Sequence, residues 1–212
     1  MPVRTQHQFL DLYPANRSDK RLILGTIHPP RVDEFSIQFF YGNRGSFWKR
    51  LTDSFPMKDF SDLTQILEVL SRHNVWVSDI VKSCVHKNGK AADIDLIDII
   101  YNDQQIKSSI LNSDIKEIFF TSEYTFVLFK RAFGIRLAFD RIKRAGTIPS
   151  IYFGKDIAYT VLYSPSHMAD RGIVNSSKYK EWSTDRKENN LTYSLDDFRS
   201  EYYRSAMGFF NN

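Results

Sequence analysis

The chain has 212 residues, 42% hydrophobic and 25% charged, which is enough for one sizeable core and short for two. A net charge of +4 permits a polyanionic partner, and the single cysteine, Cys84, excludes an intrachain disulfide. No apolar run reaches the length of a membrane span, and residues 1–6 lack the apolar core of a signal peptide. We expect a cytoplasmic monomer with no membrane contact, a single domain over 1–212 with an N-terminal extension at 1–19.

Strands are predicted where short apolar runs occur, and helices where apolar residues recur every three or four positions. The predicted buried strands are Arg21–Gly25, Ile115–Thr121 and Thr160–Tyr163, with a further buried stretch at Val75–Cys84. The predicted helices are 46–55, 60–73, 106–111, 124–139 and 195–209. Strands that alternate with helices indicate a three-layer α/β/α fold around a mainly parallel four-stranded sheet.

Turn and capping residues divide these elements. Asp59 or Ser61 is expected to cap the second helix and Ser194 the last one. Residues 26–45 form a long loop with a possible extended piece at 37–40. An Asn-Gly pair at 88–89 predicts a turn, and the polar stretch 176–190 predicts a loop.

Three loops follow the carboxyl ends of predicted strands. They are 26–45, 121–123 and 164–171. In open parallel sheets, ligands bind in the crevice beyond these ends, so the three loops are expected to share one site. A basic stretch adds to this hypothesis, since it suits either a phosphate backbone or a solvated helix face. It comprises Lys130, Arg131, Arg136, Arg141, Lys143, Arg144 and Lys155.

Four segments carry a resemblance to a known family. They are 22–29 followed by 39–48 (FFYGNRGSFW), 77–84 (VSDIVKSC), 118–122 (IFFTS) and 164–167 (SPSH). In order and spacing they resemble the uracil-DNA glycosylase superfamily, in its mismatch-specific and hypoxanthine-type branch. The resemblance implies a protein that flips a deaminated or mismatched base out of single- or double-stranded DNA. The resemblance also implies that such a protein hydrolyses the N-glycosidic bond without a metal or organic cofactor.

The resemblance assigns the base pocket to the first loop and the middle strand. Phe40 takes the position that stacks on the base, unless it is a core residue, and Gly25 and Ile27 contact the base. Thr121 stands where the family has a base-reading asparagine, with Ser122 to assist. A hydroxyl lacks the two-sided edge of an amide, so the reading of the base is expected to differ from that of the family.

The position that orients water in the family falls on His28 when counted back from Phe40, and on Ile27 when counted forward from Gly25. Histidine can orient water and accept a proton, so His28 is the preferred catalytic candidate. The alternatives are a histidine that only bonds the backbone and a water held by a backbone carbonyl. Asn43 either replaces the family's asparagine before Phe-Trp or supports a turn.

The last loop and one arginine of the first loop are expected to contact DNA. His167 is the candidate that stabilises the leaving base, or else it contacts phosphate or solvent. The predicted DNA contacts are Ser164, Ser166, Met168, Arg171 and Arg44.

Three functions stay open at this point. The first is a glycosylase. The second is a nucleic-acid-binding or nucleotide-sensing module of the same fold that has lost the chemistry, because the expected amide and acid positions have changed. The third is a protein with an unrelated small ligand. Asp79 is interpreted as a structural residue that organises loops, and Cys84 as a buried apolar residue. No zinc, iron–sulfur or Walker pattern occurs in the sequence.

Overall fold

The computed structural model describes residues 1–42, 47–87 and 95–211. The strands are β1 (Val3–Gln6), β2 (Arg21–Gly25), β3 (Val75–Asp79), β4 (Val81–His86), β5 (Leu96–Tyr101), β6 (Glu117–Phe120), β7 (Ala145–Ile148) and β8 (Ile157–Val161). The helices are α1 (Phe47–Ser54), α2 (Leu63–Arg72), α3 (Asp103–Asn112), α4 (Glu123–Ala132), α5 (Asp170–Val174), α6 (Ser177–Glu188) and α7 (Leu195–Ala206).

The central sheet has five strands in the order β3-β2-β6-β8-β7. The first four are parallel, and β7 runs antiparallel to β8. The prediction of four strands therefore has to be corrected to five. The sequence of β7, Ala-Gly-Thr-Ile, has one buried residue and no apolar alternation, so it gave no strand signal.

A second, antiparallel sheet of three strands has the order β1-β4-β5. Only Ile80 separates β3 from β4, so the chain passes directly from the central sheet into the second one. The pairing of β1 with β4 brings the start of the chain to the carboxyl end of β3. Residues 1–19 are therefore joined to the body of the protein through this strand and through buried Phe9 and Leu10.

Alternate residues of the central strands face opposite sides of the sheet. Ile23 and Phe119 pack with residues of α1, α2 and α7, whereas Leu24 and Phe120 pack with residues of α3 and α4. Because both faces of a parallel strand are buried, its sequence is almost continuously apolar. Helices thus cover both sides of the sheet in a mixed α/β arrangement.

The helix ends agree with the sequence in part. Ser194 caps α7 in a capping box with Asp197, as predicted. The cap of α2 is Asp62, whose side chain accepts a hydrogen bond from the Gln65 amide, and neither Asp59 nor Ser61 takes that place. Helix α4 ends at Ala132, earlier than predicted, and Gly134 follows with a positive φ of 63°.

Two loop predictions are wrong, and one lies outside the described residues. Residues 177–188, predicted as loop, form α6, which Ser176 caps through the Tyr179 amide. Residues 37–40 form tight turns rather than an extended piece, with the Phe39 amide bonded to the Ile37 carbonyl. The predicted turn at 88–89 is among the residues that are not described. No helix within the described ranges combines the length and the apolar character needed to cross a membrane.

Candidate functional site

Three residues form a row across the carboxyl edge of the central sheet. Gly25 pairs in register with Asp79 on β3, and Leu24 pairs with Phe120 on β6, so Thr121 follows beside Gly25. The Thr121 amide donates to the Leu24 carbonyl at 3.0 Å, which fixes this alignment. A carboxylate and a hydroxyl therefore flank a glycine, and the missing side chain leaves a notch between them. We call Asp79, Gly25 and Thr121 the polar row.

The hydroxyl of Tyr41 fills the notch. It lies 3.3 Å from Asp79 Oδ1 and 3.3 Å from Thr121 Oγ1. A Cβ atom added to Gly25 would come within 1.5 Å of this hydroxyl and 2.2 Å of Asp79 Oδ1. The end of β2 thus accommodates only glycine while Tyr41 is in place. The ring of Tyr41 packs on Phe47 with a centroid distance of 5.2 Å.

The other carboxylate oxygen of Asp79 binds His7 from the N-terminal segment. His7 Nε2 lies 2.8 Å from Asp79 Oδ2, and both side chains are buried. His7 Nδ1 accepts a hydrogen bond from the Phe9 amide at 3.1 Å, so the proton resides on Nε2 and is donated to Asp79. Asp79 therefore has one oxygen held by His7 and the other facing the notch.

His28 lies beside His7 with both ring nitrogens bonded to the backbone. Its Nε2 accepts from the Gln8 amide at 3.2 Å, so Nδ1 carries the proton and donates to the Pro29 carbonyl at 2.8 Å. Burial lowers the pKa of His28 below its usual value of 6.5, although the bond to Pro29 opposes this shift. In this arrangement His28 is neutral and has no free nitrogen to orient water.

His28 is expected to make stability depend on pH. Its folded pKa lies below the unfolded value, so its contribution is complete above pH 6.5 and is lost as the pH falls through the folded pKa. We expect the urea midpoint to fall from pH 7.5 to pH 5, and less steeply in His28→Gln. The exposed His167→Gln variant is the control. An equal slope in all three proteins would contradict this expectation.

Phe40 lies behind the notch, in an aromatic cluster. Its side chain is 1% exposed, with ring centroids 5.3 Å from His7 and 5.8 Å from Phe9. Its carbonyl accepts a hydrogen bond from the Trp48 indole. Phe40 therefore has the surroundings of a core residue in this structure, and stacking on a base requires its ring to become accessible.

Thr121 is followed directly by the N-terminus of helix α4, where several hydroxyl side chains bond one another. Ser122 caps the helix, because its hydroxyl accepts from the Thr125 amide at 3.0 Å. Thr125 Oγ1 lies 3.0 Å from Thr26 Oγ1 and 2.9 Å from Ser122 Oγ. Ser122 is thus committed to the helix end, while Ile27 packs partly buried on the α3 and α4 side of the sheet.

Residues 164–171, predicted as a loop, contain one turn of 3-10 helix at His167–Ala169 and the first two residues of α5. We keep the name last loop for this segment, and its side chains are exposed or partly exposed. His167 has 74% of its side chain exposed, and its Nδ1 lies 3.5 Å from Asp170 Oδ2. Met168 is 87% exposed, and Arg171 is also exposed. The hydroxyls of Ser164 and Ser166 accept from backbone amides within the loop, which shapes it locally.

Arg199 of α7 holds this loop from below. The buried guanidinium donates to the Ser166 carbonyl at 3.2 Å and to Asp170 Oδ1 at 2.5 Å. Burial alone would raise the pKa of Asp170, but the bond and charge of Arg199 outweigh it and hold that pKa below its usual 3.8. The exposed loop is therefore fixed to the body of the protein by the buried guanidinium of Arg199, whose carboxylate partner Asp170 stays partly exposed.

Neither a protein-family model nor a curated protein sequence matches the chain. Among solved structures, the chain is similar to the solution NMR structure of a candidate uracil DNA glycosylase from Methanosarcina acetivorans. The two share 16% sequence identity and a TM-score of 0.46, over 86% of this chain and 96% of that one.

Three side chains of the predicted basic stretch bond backbone carbonyls, whereas others are exposed to solvent. Arg144 is buried, not exposed, and donates from Nε to the Val161 carbonyl at 2.9 Å and from a terminal nitrogen to the Leu162 carbonyl at 3.0 Å. Lys130 donates to the Leu137 carbonyl and Lys155 to the Ser113 carbonyl. The stretch is therefore not one continuous phosphate-binding surface. Its exposed members are Arg131, Arg136, Arg141 and Lys143.

Sequence reasoning missed two residues that the structure places in the site, His7 and Tyr41, and it gave Asp79 a structural role only. Two predicted residues, Asn43 and Arg44, lie outside the described residues. In the part of the chain that the structure describes, no three His, Cys, Asp or Glu side chains are grouped to hold a metal ion. The polar row is the candidate site, and the last loop follows β8 at the same edge of the sheet.

Proposed function

We propose that the protein is DNA glycosylase-like and hydrolyses the N-glycosidic bond of a flipped uracil- or hypoxanthine-type base. The observation that carries this proposal is the polar row, with Asp79 and Thr121 on either side of Gly25. With the Tyr41 hydroxyl displaced, a flat ligand with a polar edge fits such a notch, because the glycine admits the edge and the two side chains can bond it. The resemblance of the four segments supports the same class of ligand.

Hydrolysis of the N-glycosidic bond requires that a positive charge on the sugar and a negative charge on the leaving base both be stabilised. The bond between C1′ and the base nitrogen breaks and its electron pair leaves with the base. Water adds its oxygen to C1′, keeps one hydrogen there as the new hydroxyl, and releases the other proton, which the departing base takes up. Asp79 bonds the edge of the base, and the negative charge of its buried carboxylate also favours the positive charge that develops on the sugar. His167, on the exposed last loop, is proposed to stabilise the negative charge on the leaving base. His28 then supports the loop through Pro29.

A second candidate is a module that binds a base without hydrolysing its bond. The observation in its favour is His28, whose two nitrogens are both bonded to the backbone. Without another group to orient water, such a site would bind and not react. Both candidates use the same polar row, so only a measurement of base release separates them.

The test is release of free base from oligonucleotides that carry one uracil, hypoxanthine or xanthine, single- or double-stranded, detected by mass spectrometry. We expect release from at least one substrate, and about a tenfold loss in Thr121→Val, because one hydrogen bond to the base is removed. Thr147→Val, at an exposed position of β7, is the matched control and should leave the rate unchanged. His167→Ala should also lower the rate.

Two results would contradict the proposal in different ways. Salt-sensitive DNA binding with no base released from any substrate supports the binding module instead. Neither binding nor release from any of these oligonucleotides rules out both candidates. Release that survives unchanged in Thr121→Val and His167→Ala would show that the assigned site is wrong.

A further inference from the structure

We propose that Tyr41 is a built-in occupant of the base site, whose hydroxyl takes the place of the base edge until a base displaces it. This inference rests on the proposed function only in identifying the ligand as a nucleobase. The location follows from the contacts of Tyr41 itself, because its hydroxyl fills the notch above Gly25 and bonds both side chains of the polar row.

The direction of these two bonds can be worked out from the number of protons. Asp79 is an acceptor when ionised, so the single hydroxyl proton of Tyr41 is donated to Asp79 Oδ1. The bond between Tyr41 and Thr121 must then use the Thr121 proton, with the Tyr41 oxygen as acceptor. Tyr41 thus presents one donor toward Asp79 and one acceptor toward Thr121.

A nucleobase offers the same pair along its pairing edge, where an N–H group lies next to a carbonyl oxygen or a ring nitrogen. Such an edge would replace both bonds that Tyr41 makes, and its ring would take the place of the phenol ring. Uracil has this pair at N3–H and its neighbouring carbonyl. In 1,3-dimethyluracil the carbonyls remain but both N–H donors are gone, so Asp79 would be left without its bond.

The backbone of Tyr41 is a second, independent sign of a special position. Its φ is 58°, in the left-handed region that residues with a Cβ rarely occupy. Such conformations are held by the surroundings and concentrate at functional sites. Glycine adopts this conformation without a steric penalty, so Tyr41→Gly removes the side chain and keeps the backbone path.

The occupant lowers the apparent affinity for a base, because only molecules with Tyr41 displaced can bind. Removing the side chain should therefore raise the affinity. With two hydrogen bonds to break, we expect the Kd for free uracil to fall about tenfold in Tyr41→Gly. Tyr41→Phe loses the bonds but keeps the ring, so its Kd should fall by about threefold.

The experiment is titration of each protein with free uracil and, separately, with 1,3-dimethyluracil, followed by calorimetry or NMR. Circular dichroism first establishes that each variant is folded. Tyr152→Phe is the matched control, since it removes a tyrosine hydroxyl that accepts from the Arg136 amide, away from the polar row. Its affinity for uracil should equal that of the unaltered protein, and the gain in Tyr41→Gly should be absent with 1,3-dimethyluracil.

The proposal is overturned if folded Tyr41→Gly and Tyr41→Phe bind uracil no more tightly than the unaltered protein, or if neither binds it. An equal gain for 1,3-dimethyluracil would also overturn it. These readouts need no catalysis, so they are independent of base release from DNA. If the variants bind uracil more tightly but no base is released from DNA, the role of Tyr41 stands and the glycosylase proposal fails. If base is released but the variants bind uracil no more tightly, the glycosylase proposal stands and the role of Tyr41 fails.

Discussion

Replacing Asp79 with alanine is expected to lower the free energy of unfolding by about 3 kcal/mol and base release at least a hundredfold. The carboxylate is buried and accepts hydrogen bonds from His7 and Tyr41. Without it, the buried N–H of His7 has no acceptor, and the site loses its negative charge. Urea unfolding measures the first effect. Single-turnover base release, at a temperature where the variant is folded, measures the second.

A matched control separates the site from a general effect of removing a carboxylate. Asp33→Ala changes an exposed aspartate and should shift the free energy of unfolding by less than about 0.5 kcal/mol. The double variant Asp79→Leu with His7→Leu should lose less free energy of unfolding than the sum of the losses in the two single variants. The reason is that neither buried partner is then left without the other. Additive losses would show that the 2.8 Å contact between the two side chains contributes little.

Replacing Arg199 with leucine is expected to lower the free energy of unfolding by about 2 kcal/mol and to weaken DNA binding about tenfold. Arg199 is 1% exposed and connects α7 to the Ser166 carbonyl and to Asp170. Its loss leaves the carboxylate without its cation and the last loop without its anchor. Urea unfolding gives the stability, and titration with labelled DNA over a range of salt concentrations gives the affinity.

Arg204→Leu is the control on the same helix. Arg204 donates to the Ser54 carbonyl, on α1, so its loss should cost about 1 kcal/mol and leave DNA binding unchanged. If Arg199→Leu is destabilised but binds DNA as tightly as the unaltered protein, the last loop does not contact DNA. Equal weakening of DNA binding in both variants would point to a general effect of lost charge.

Many of the strands and helices were predictable because the sequence patterns that indicate them are local. The run Arg21–Gly25 is apolar and ends in glycine, and the structure places β2 at those residues. The last helix begins after Ser194, whose hydroxyl and the carboxylate of Asp197 bond each other's backbone amides over three residues. The convergence of loops at the carboxyl edge follows from parallel strands in general, so Gly25 and Thr121 could be placed there from sequence.

Helix α6 shows where local patterns are insufficient. Tyr179 and Trp182 are its aromatic residues, and they pack against Phe198 of α7. The rest of the segment is polar, which gives no periodic apolar face and reads as a loop. Its lysines, its arginine and its glutamates nonetheless favour helix, and Ser176 supplies the cap. A few tertiary contacts together with capping decide the outcome.

The chemistry of the site was less predictable than the frame, because its partners are distant in sequence. His7 and Asp79 are 72 residues apart, and nothing near His7 indicates a contact with a strand end. Tyr41 follows the predicted stacking residue, but its positive φ turns its hydroxyl toward the polar row. For His28, the sequence shows a histidine of the right type and not that the backbone occupies both its nitrogens.

The register of the polar row also sets the order in which it can be assembled. Domains fold as the chain is synthesised from its N-terminus. His7, Gly25, Tyr41 and Asp79 all precede β6, whereas Thr121 follows it. In a nascent chain that ends at residue 110, β2 can pair only with β3, because the residues of β6 have not yet been added. The notch gains its second wall only when β6 pairs with β2, so the candidate site cannot be complete before residues 117–121 have been synthesised.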